Sequence, residues 1–400
     1  MQHRLVRIGL KAKDVSLEKR PRANLVFLVD VSGSMEQENK LPLVKRSLKL
    51  LVDQMGENDS IAMVTYAGNA GIALQPTSAA NRDSIKRVID RLEAGGSTHG
   101  SAGIQAAYEL ALQRFVKGGI NRVLLCTDGD FNVGVTTDSD LLGLITEKAK
   151  SGVFLSVLGF GMGNLKDSKL ELLADKGNGN YAYIDSFAEA RRVFVEQMSG
   201  TLQTVAKDVK IQVEFSPAKV QAYRLIGYEN RRLAAKDFNN DAKDAGEIGA
   251  GHAVTALYEI IPVGVPVAGD SGEPLRYQSD SATETPLPAP KTVRDRALTP
   301  TAESELLFVK LRYKQPEADT SSLISLPVTD HGKRFEQASA DFRFAAAVAG
   351  FGMRLRNSPG SANFPMSEVS KLAEQSLGTK ADASRAEFID LVRAAGRLGR

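Results

Sequence analysis

The stretch Leu25 to Met35, LVFLVDVSGSM, decides the fold. Leu25 to Val29 are all apolar and include β-branched and aromatic members. Such a run reads as a strand buried on both faces. It ends abruptly in Asp30, Ser32 and Ser34, with Gly33 permitting a tight loop between the serines. Hard oxygen donors at the carboxyl end of a buried strand lie where open α/β sheets bind ligands. The reading is a divalent metal site, for which the rest of the chain must supply the remaining donors.

Outward from this stretch, strands alternate with helices. Residues 38–55 carry Leu41, Val44, Leu48, Leu51, Val52 and Met55 at helical spacing, with Pro42 tolerated near the start. Strands are expected at 61–67 and 71–75 as a hairpin, then at 122–127, 153–161 and 180–184. Helices are expected at about 81–92, 101–117, 138–150, 167–175 and 187–200. The apolar strands do not alternate with polar residues, which requires helices on both sheet faces. The fold class for 21–200 is therefore α/β, a doubly wound, Rossmann-like, mostly parallel sheet. From 201 the texture changes to strands at 209–215, 220–227, 254–261, 306–313 and 322–328, a smaller β-rich domain over 201–335. Residues 1–20 hold an alternating strand at 3–14 expected to pair in that domain, so the α/β domain is inserted into it. Residues 262–300 contain seven of the chain's 15 prolines and read as a long loop. Residues 336–400 return to helix.

A net charge of +3 on 400 residues, with Lys and Arg spread rather than blocked, argues against a nucleic-acid partner. No apolar run approaches the roughly 18 residues that span a bilayer. The N-terminus shows no signal-peptide core, but it starts mid-pattern, as a piece of a longer precursor would. The single cysteine, Cys126, excludes an internal disulfide and a multi-cysteine metal cluster, and reads as a buried inert thiol.

A first and a fourth strand lying side by side, as doubly wound sheets often have them, would bring Asp128 in TDGD opposite Asp30. The loop GGSTHG at 95–100 can bring Thr98 over the same point. Two carboxylates that close need a cation, and an all-oxygen donor set favours Mg²⁺, with Mn²⁺ or Ca²⁺ as alternatives. Alone, Asp-x-Ser-x-Ser suits a capped turn equally well. Asp130 and Asn132 fit either a supporting shell or a capped turn. His99 reads as an exposed loop residue. Asp128-Gly-Asp130-Phe-Asn132 imitates an EF-hand loop but lacks its glycine and closing glutamate, and Gly159-Phe-Gly161-Met-Gly163 reads as a turn, not a dinucleotide loop.

Asp30, Ser32 and Ser34, Thr98 in its GGST loop and Asp128 in TDG together resemble the metal-ion-dependent adhesion site of von Willebrand factor A-type (VWA) domains, over roughly 24–200. HRLVRIG, TDGDFNVG and VTALYEI resemble bacterial YfbK-like proteins, which are envelope-associated. The resemblance implies direct metal bonds from Ser32, Ser34 and, in one state, Thr98, with Asp30 and Asp128 binding directly or through water. It implies an open coordination position taken by a partner's Glu or Asp, a last helix (187–200) that shifts with site state, and no catalysis. The expected function is metal-dependent protein binding in a bacterial envelope or surface complex. A metal-dependent phosphoester hydrolase and a scaffold or ATPase partner with a structural metal are the alternatives.

Overall fold

The computed structural model describes residues 3–399 except 16–19, 68–69, 97–99, 130–137, 163–166, 198–199, 201, 229–232, 242, 244, 266–290, 293–303, 317, 359–360, 362–363 and 379–382. Thr98, His99, Asp130 and Asn132 lie outside the described residues, as does most of the 262–300 loop.

The opening run forms a strand over Ala23–Asp30, the second in the chain (β2), after β1 at Arg4–Lys11. It is flanked by β3 (Ser60–Tyr66) on one side and β5 (Ile120–Thr127) on the other, both parallel to it. The six-stranded sheet has the order β4-β3-β2-β5-β6-β7, with β4 at Ala70–Ser78, β6 at Phe154–Phe160 and β7 at Tyr181–Ile184. The β3–β4 pair alone is antiparallel in this sheet. The first and fourth strands of the domain are thus neighbours, as the sequence reading required.

Leu25, Phe27 and Val29 point into one core, under α1 (Leu41–Gln54), α2 (Arg82–Asp90) and α6 (Phe187–Arg191). Val26 and Leu28 point into the other, under α3 (Gly100–Gln113), α4 (Asp138–Ala149) and α5 (Asp167–Lys176). Strand alternation therefore sends successive apolar side chains to opposite cores, which explains the uninterrupted run. All five side chains are fully buried, contributing on the order of 10 kcal/mol by area bookkeeping. At the opposite end of the same strands, Asn24 Nδ2 donates to the Ala111 carbonyl at 2.7 Å, and Asn121 clips Val116 through both its amide atoms. These bonds satisfy backbone groups in the last turn of α3 (Gly100–Gln113) and in the turn after it.

The helix expected at 187–200 is shorter than its sequence pattern. Five α-helical residues are followed by one wide turn over Arg192–Glu196, closed by Gln197 N–H on the Arg192 carbonyl at 2.8 Å. That turn buries the adjacent Val193 and Phe194 together, which 3.6-residue spacing does not anticipate.

β1 pairs antiparallel with β11 (Ala253–Pro262), from Arg4↔Ile260 to Lys11↔Ala253. β9 (Val220–Ile226) and the short β12 (Lys291–Thr292) continue that sheet. A second sheet has β8 (Thr204–Phe215) at its centre, flanked by β10 (Gly246–Gly249) and β13 (Glu305–Lys314), with β14 (Ser321–Thr329) at the edge. The two sheets share a core of Ile8, Phe215, Val220, Ile260, Leu307 and Val309. The α/β region lies in sequence between β1 and β8. Three helices, α7 (Ala340–Leu355), α8 (Met366–Glu374) and α9 (Ala383–Arg397), close on a small core that includes Ala347, Val369 and Val392.

Candidate metal centre

The site is built from strand ends. Register sets Asp30 beside Tyr66 on β3, and β5 delivers Thr127 and then Asp128 at the same level. After Asp30 the chain makes a single 3-10 turn, Gly33–Glu36, with Met35 N–H on the Ser32 carbonyl at 3.0 Å and the Met35 side chain fully buried. This turn sets the Ser32 and Ser34 hydroxyls 3.1 Å apart, with Ser32 buried and Ser34 exposed. The 95–96 loop docks on the same turn: Gly95 N–H donates to the Val31 carbonyl at 2.7 Å and Gly33 N–H to the Gly96 carbonyl at 3.2 Å.

Asp30 is 0% exposed and Asp128 is 5% exposed. Burial raises the Asp30 carboxyl above its ordinary range; bonds from the Ser32 backbone and hydroxyl oppose this, and the charge of Asp128 adds to the rise. Ser32 N–H reaches Asp30 Oδ1 at 2.9 Å, while the Tyr66 and Thr127 hydroxyls reach Oδ2 at 3.1 and 3.2 Å. Burial, and then the charge of Asp30, holds the Tyr66 phenol far above its ordinary value, so it is a neutral donor.

Among the sequence-derived donors, the fold brings together Asp30, Ser32, Ser34 and Asp128. The structure adds Tyr66, Thr127 and Lys40. Lys40 Nζ donates to Asp128 Oδ2 and to the Ser34 carbonyl, each at 2.9 Å. One sequence signal could have found it. Lys40 caps the N-terminus of α1, where a cation runs against the helix dipole and calls for a local anion.

The donors suit a divalent cation. They are hard oxygens, and the two buried carboxylates repel each other, while Lys40 supplies one positive charge against their two negative ones. Ser34 at the solvent side leaves access. Asp30 accepts so many protein bonds that it suits holding an ion through water or the Ser32 hydroxyl.

Comparison with known proteins bears on the fold and the domain make-up. The family model of the von Willebrand factor type A domain matches residues 24–199, and that of the YfbK C-terminal region matches 200–398. The chain is 43% identical over 394 residues to the uncharacterized protein YfbK of Escherichia coli (strain K12), covering 98% of the chain. The chain pairs a VWA domain with a YfbK-type C-terminal region. It spans 65% of the length of that relative. The human inter-alpha-trypsin inhibitor heavy chain H4 is 26% identical over 205 residues, 48% of this chain and 21% of its own. In fold, a von Willebrand factor type A protein from Catenulispora acidiphila superposes with a TM-score of 0.50 at 16% identity, covering 98% of this chain and 85% of its own. The VWA fold thus accounts for the α/β region, with additional sheets and C-terminal helices after it. Among the described residues, no helix is long and apolar enough to cross a membrane.

Proposed function

We propose that this YfbK-like protein is a binding module that holds a divalent cation, Mg²⁺ foremost, through Asp30, Ser32, Ser34, Thr98 and Asp128, and uses it to capture a Glu or Asp of a protein partner. The observation that carries this is the convergence of two buried carboxylates and two hydroxyls at the carboxyl ends of β2 and β5. Neutral hydroxyl donors leave a bound cation electrophilic, which is the chemistry it supplies: an attraction for an incoming carboxylate. Ser32 and Ser34 present oxygens, Asp30 and Asp128 supply the charge, and Tyr66 and Thr127 orient Asp30. Mn²⁺ and Ca²⁺ satisfy the same donor types. The bacterial envelope is the proposed setting, on the resemblance to YfbK-like proteins, and a non-enzymatic role accords with VWA domains being interaction modules in general.

The test is calorimetric titration of Mg²⁺ and Mn²⁺ into the full chain and its Asp30→Ala and Asp128→Ala variants, followed by affinity capture from lysate with and without EDTA. Binding that either substitution abolishes, with capture that EDTA reverses, is expected. Equal cation affinity in all three proteins refutes the metal site, and capture indifferent to EDTA refutes its use.

A further inference from the structure

The proposed cation site contains a cation of its own. Lys40 Nζ bridges the two segments that carry the donors, bonding Asp128 Oδ2 after β5 and the Ser34 carbonyl after β2. The pair is buried, with the Lys40 side chain 11% exposed and that of Asp128 4%, so water screens it weakly.

Its path is built by a third element. The aliphatic stem of Lys40 runs against Gly161, just past the end of β6, where a Cβ would lie 2.8 Å from Lys40 Cε and 2.9 Å from Cγ. Gly161 has φ +89°, which glycine adopts freely. Its carbonyl accepts from the Tyr183 hydroxyl at 2.7 Å, which ties the turn to β7. Four sheet strands and the start of α1 therefore cooperate to aim one ammonium at one carboxylate.

We infer that Lys40 is a positioning residue and internal counter-charge that weakens cation binding by the protein alone and favours the complex in which a partner carboxylate also joins the site. The inference rests on the metal-site reading above and deepens it. The charges make the case. The hydroxyl donors keep the cation's open position electrophilic, but the charges of Asp30 and Asp128 together match those of a divalent cation, so the loaded site without Lys40 has no net positive charge to add to that attraction. With Lys40 in place the loaded site retains one positive charge, so an incoming Glu or Asp completes neutrality. Lys40 also holds Asp128 by one oxygen, which keeps that carboxylate oriented when no cation is bound.

The experiment compares wild type, Lys40→Met, Lys40→Arg and Asp30→Ala by Mg²⁺ titration calorimetry and by thermal unfolding with and without Mg²⁺. Lys40→Met keeps the stem and removes the charge. It is expected to bind Mg²⁺ at least about tenfold more tightly, about 1.4 kcal/mol. It should melt lower than wild type without Mg²⁺ and show the larger Mg²⁺-induced rise in Tm. Lys40→Arg, which retains the charge, should keep the wild-type affinity within about threefold. A lysine that only packs would lower Tm equally with and without Mg²⁺, and that result overturns the inference. Mg²⁺ affinity in Lys40→Met equal to or weaker than wild type, with Asp30→Ala losing it, also overturns the inference and leaves the site reading standing. Wild-type affinity in Asp30→Ala defeats the site reading itself. Lys40→Gln keeps a donor and loses the charge, and it serves in place of Lys40→Met if that variant does not fold, with the same outcomes.

Discussion

Replacing Tyr66 by Phe removes one oxygen from a fully buried ring and tests whether the network around Asp30 is as tight as its geometry. The hydroxyl donates to Asp30 Oδ2 at 3.1 Å and also interacts with the Thr127 hydroxyl. The acceptor is a carboxylate, so the bond is of the charge-assisted kind, about 1.5–3 kcal/mol. Phe leaves no cavity of note, and Asp30 keeps its bonds from Ser32 and Thr127. The expected loss is therefore about 2 kcal/mol, close to a thirtyfold change in the opening equilibrium. Hydrogen–deuterium exchange of the β2 and β3 amides reads that opening locally in the full chain. Tyr108→Phe is the control. Tyr108 is equally buried on α3, but its hydroxyl has no hydrogen-bond partner among the described residues. Removing an unpaired buried hydroxyl should be neutral or stabilising. Acceleration below about threefold in Tyr66→Phe, or equal acceleration in both variants, refutes the reasoning.

Arg122 is buried at the joint between the α/β region and the β-rich region, where it donates to Ser156 Oγ and, at 3.1 Å, to Thr204 Oγ1. Burial pushes its pKa down to about 10, with the charge of Glu247 opposing, so it stays ionised at neutral pH. Arg122→Met should cost about 3 kcal/mol in urea unfolding, because the polar groups it serves stay buried; a loss under about 1 kcal/mol contradicts this. His252 packs against Gly200 at the same joint, and burial, then the charge of Arg122, lowers its pKa. The folded chain thus binds this proton less readily than the unfolded chain. Its contribution to stability is present above about pH 6.5 and is lost as pH falls through the lowered folded value. Thermal melts at pH 7 and pH 5 should differ more in wild type than in His252→Gln, and identical slopes would count against the assignment.

The C-terminal end of the opening strand shows how far sequence carries. Asp30, Ser32, Ser34 and Asp128 were legible because their types and order are chemically specific, and the fold assembles them. Tyr66 was not, and Lys40 left only the faint sign of a cation at the start of a helix. A lysine at a helix start and a tyrosine at a strand end have many uses, and only register and a glycine path distinguish this one. The wide turn at Arg192–Glu196 was hidden for a related reason: periodicity reports which residues face the core, not how the backbone winds to let neighbours share it.

By itself the sequence determined the class of sheet, because Leu25 to Val29 has no polar face to give to water and so must be covered on both sides. It also set the donor types of the proposed site, since hard oxygens without imidazole or thiolate leave few choices of ion. Tertiary structure alone decided the charge at the site. Whether two carboxylates stand against each other, and whether an ammonium 88 residues away in sequence reaches one of them, depends on strand order and on the missing Cβ at Gly161. Coulomb energy depends on distance and burial, and neither is written along the chain.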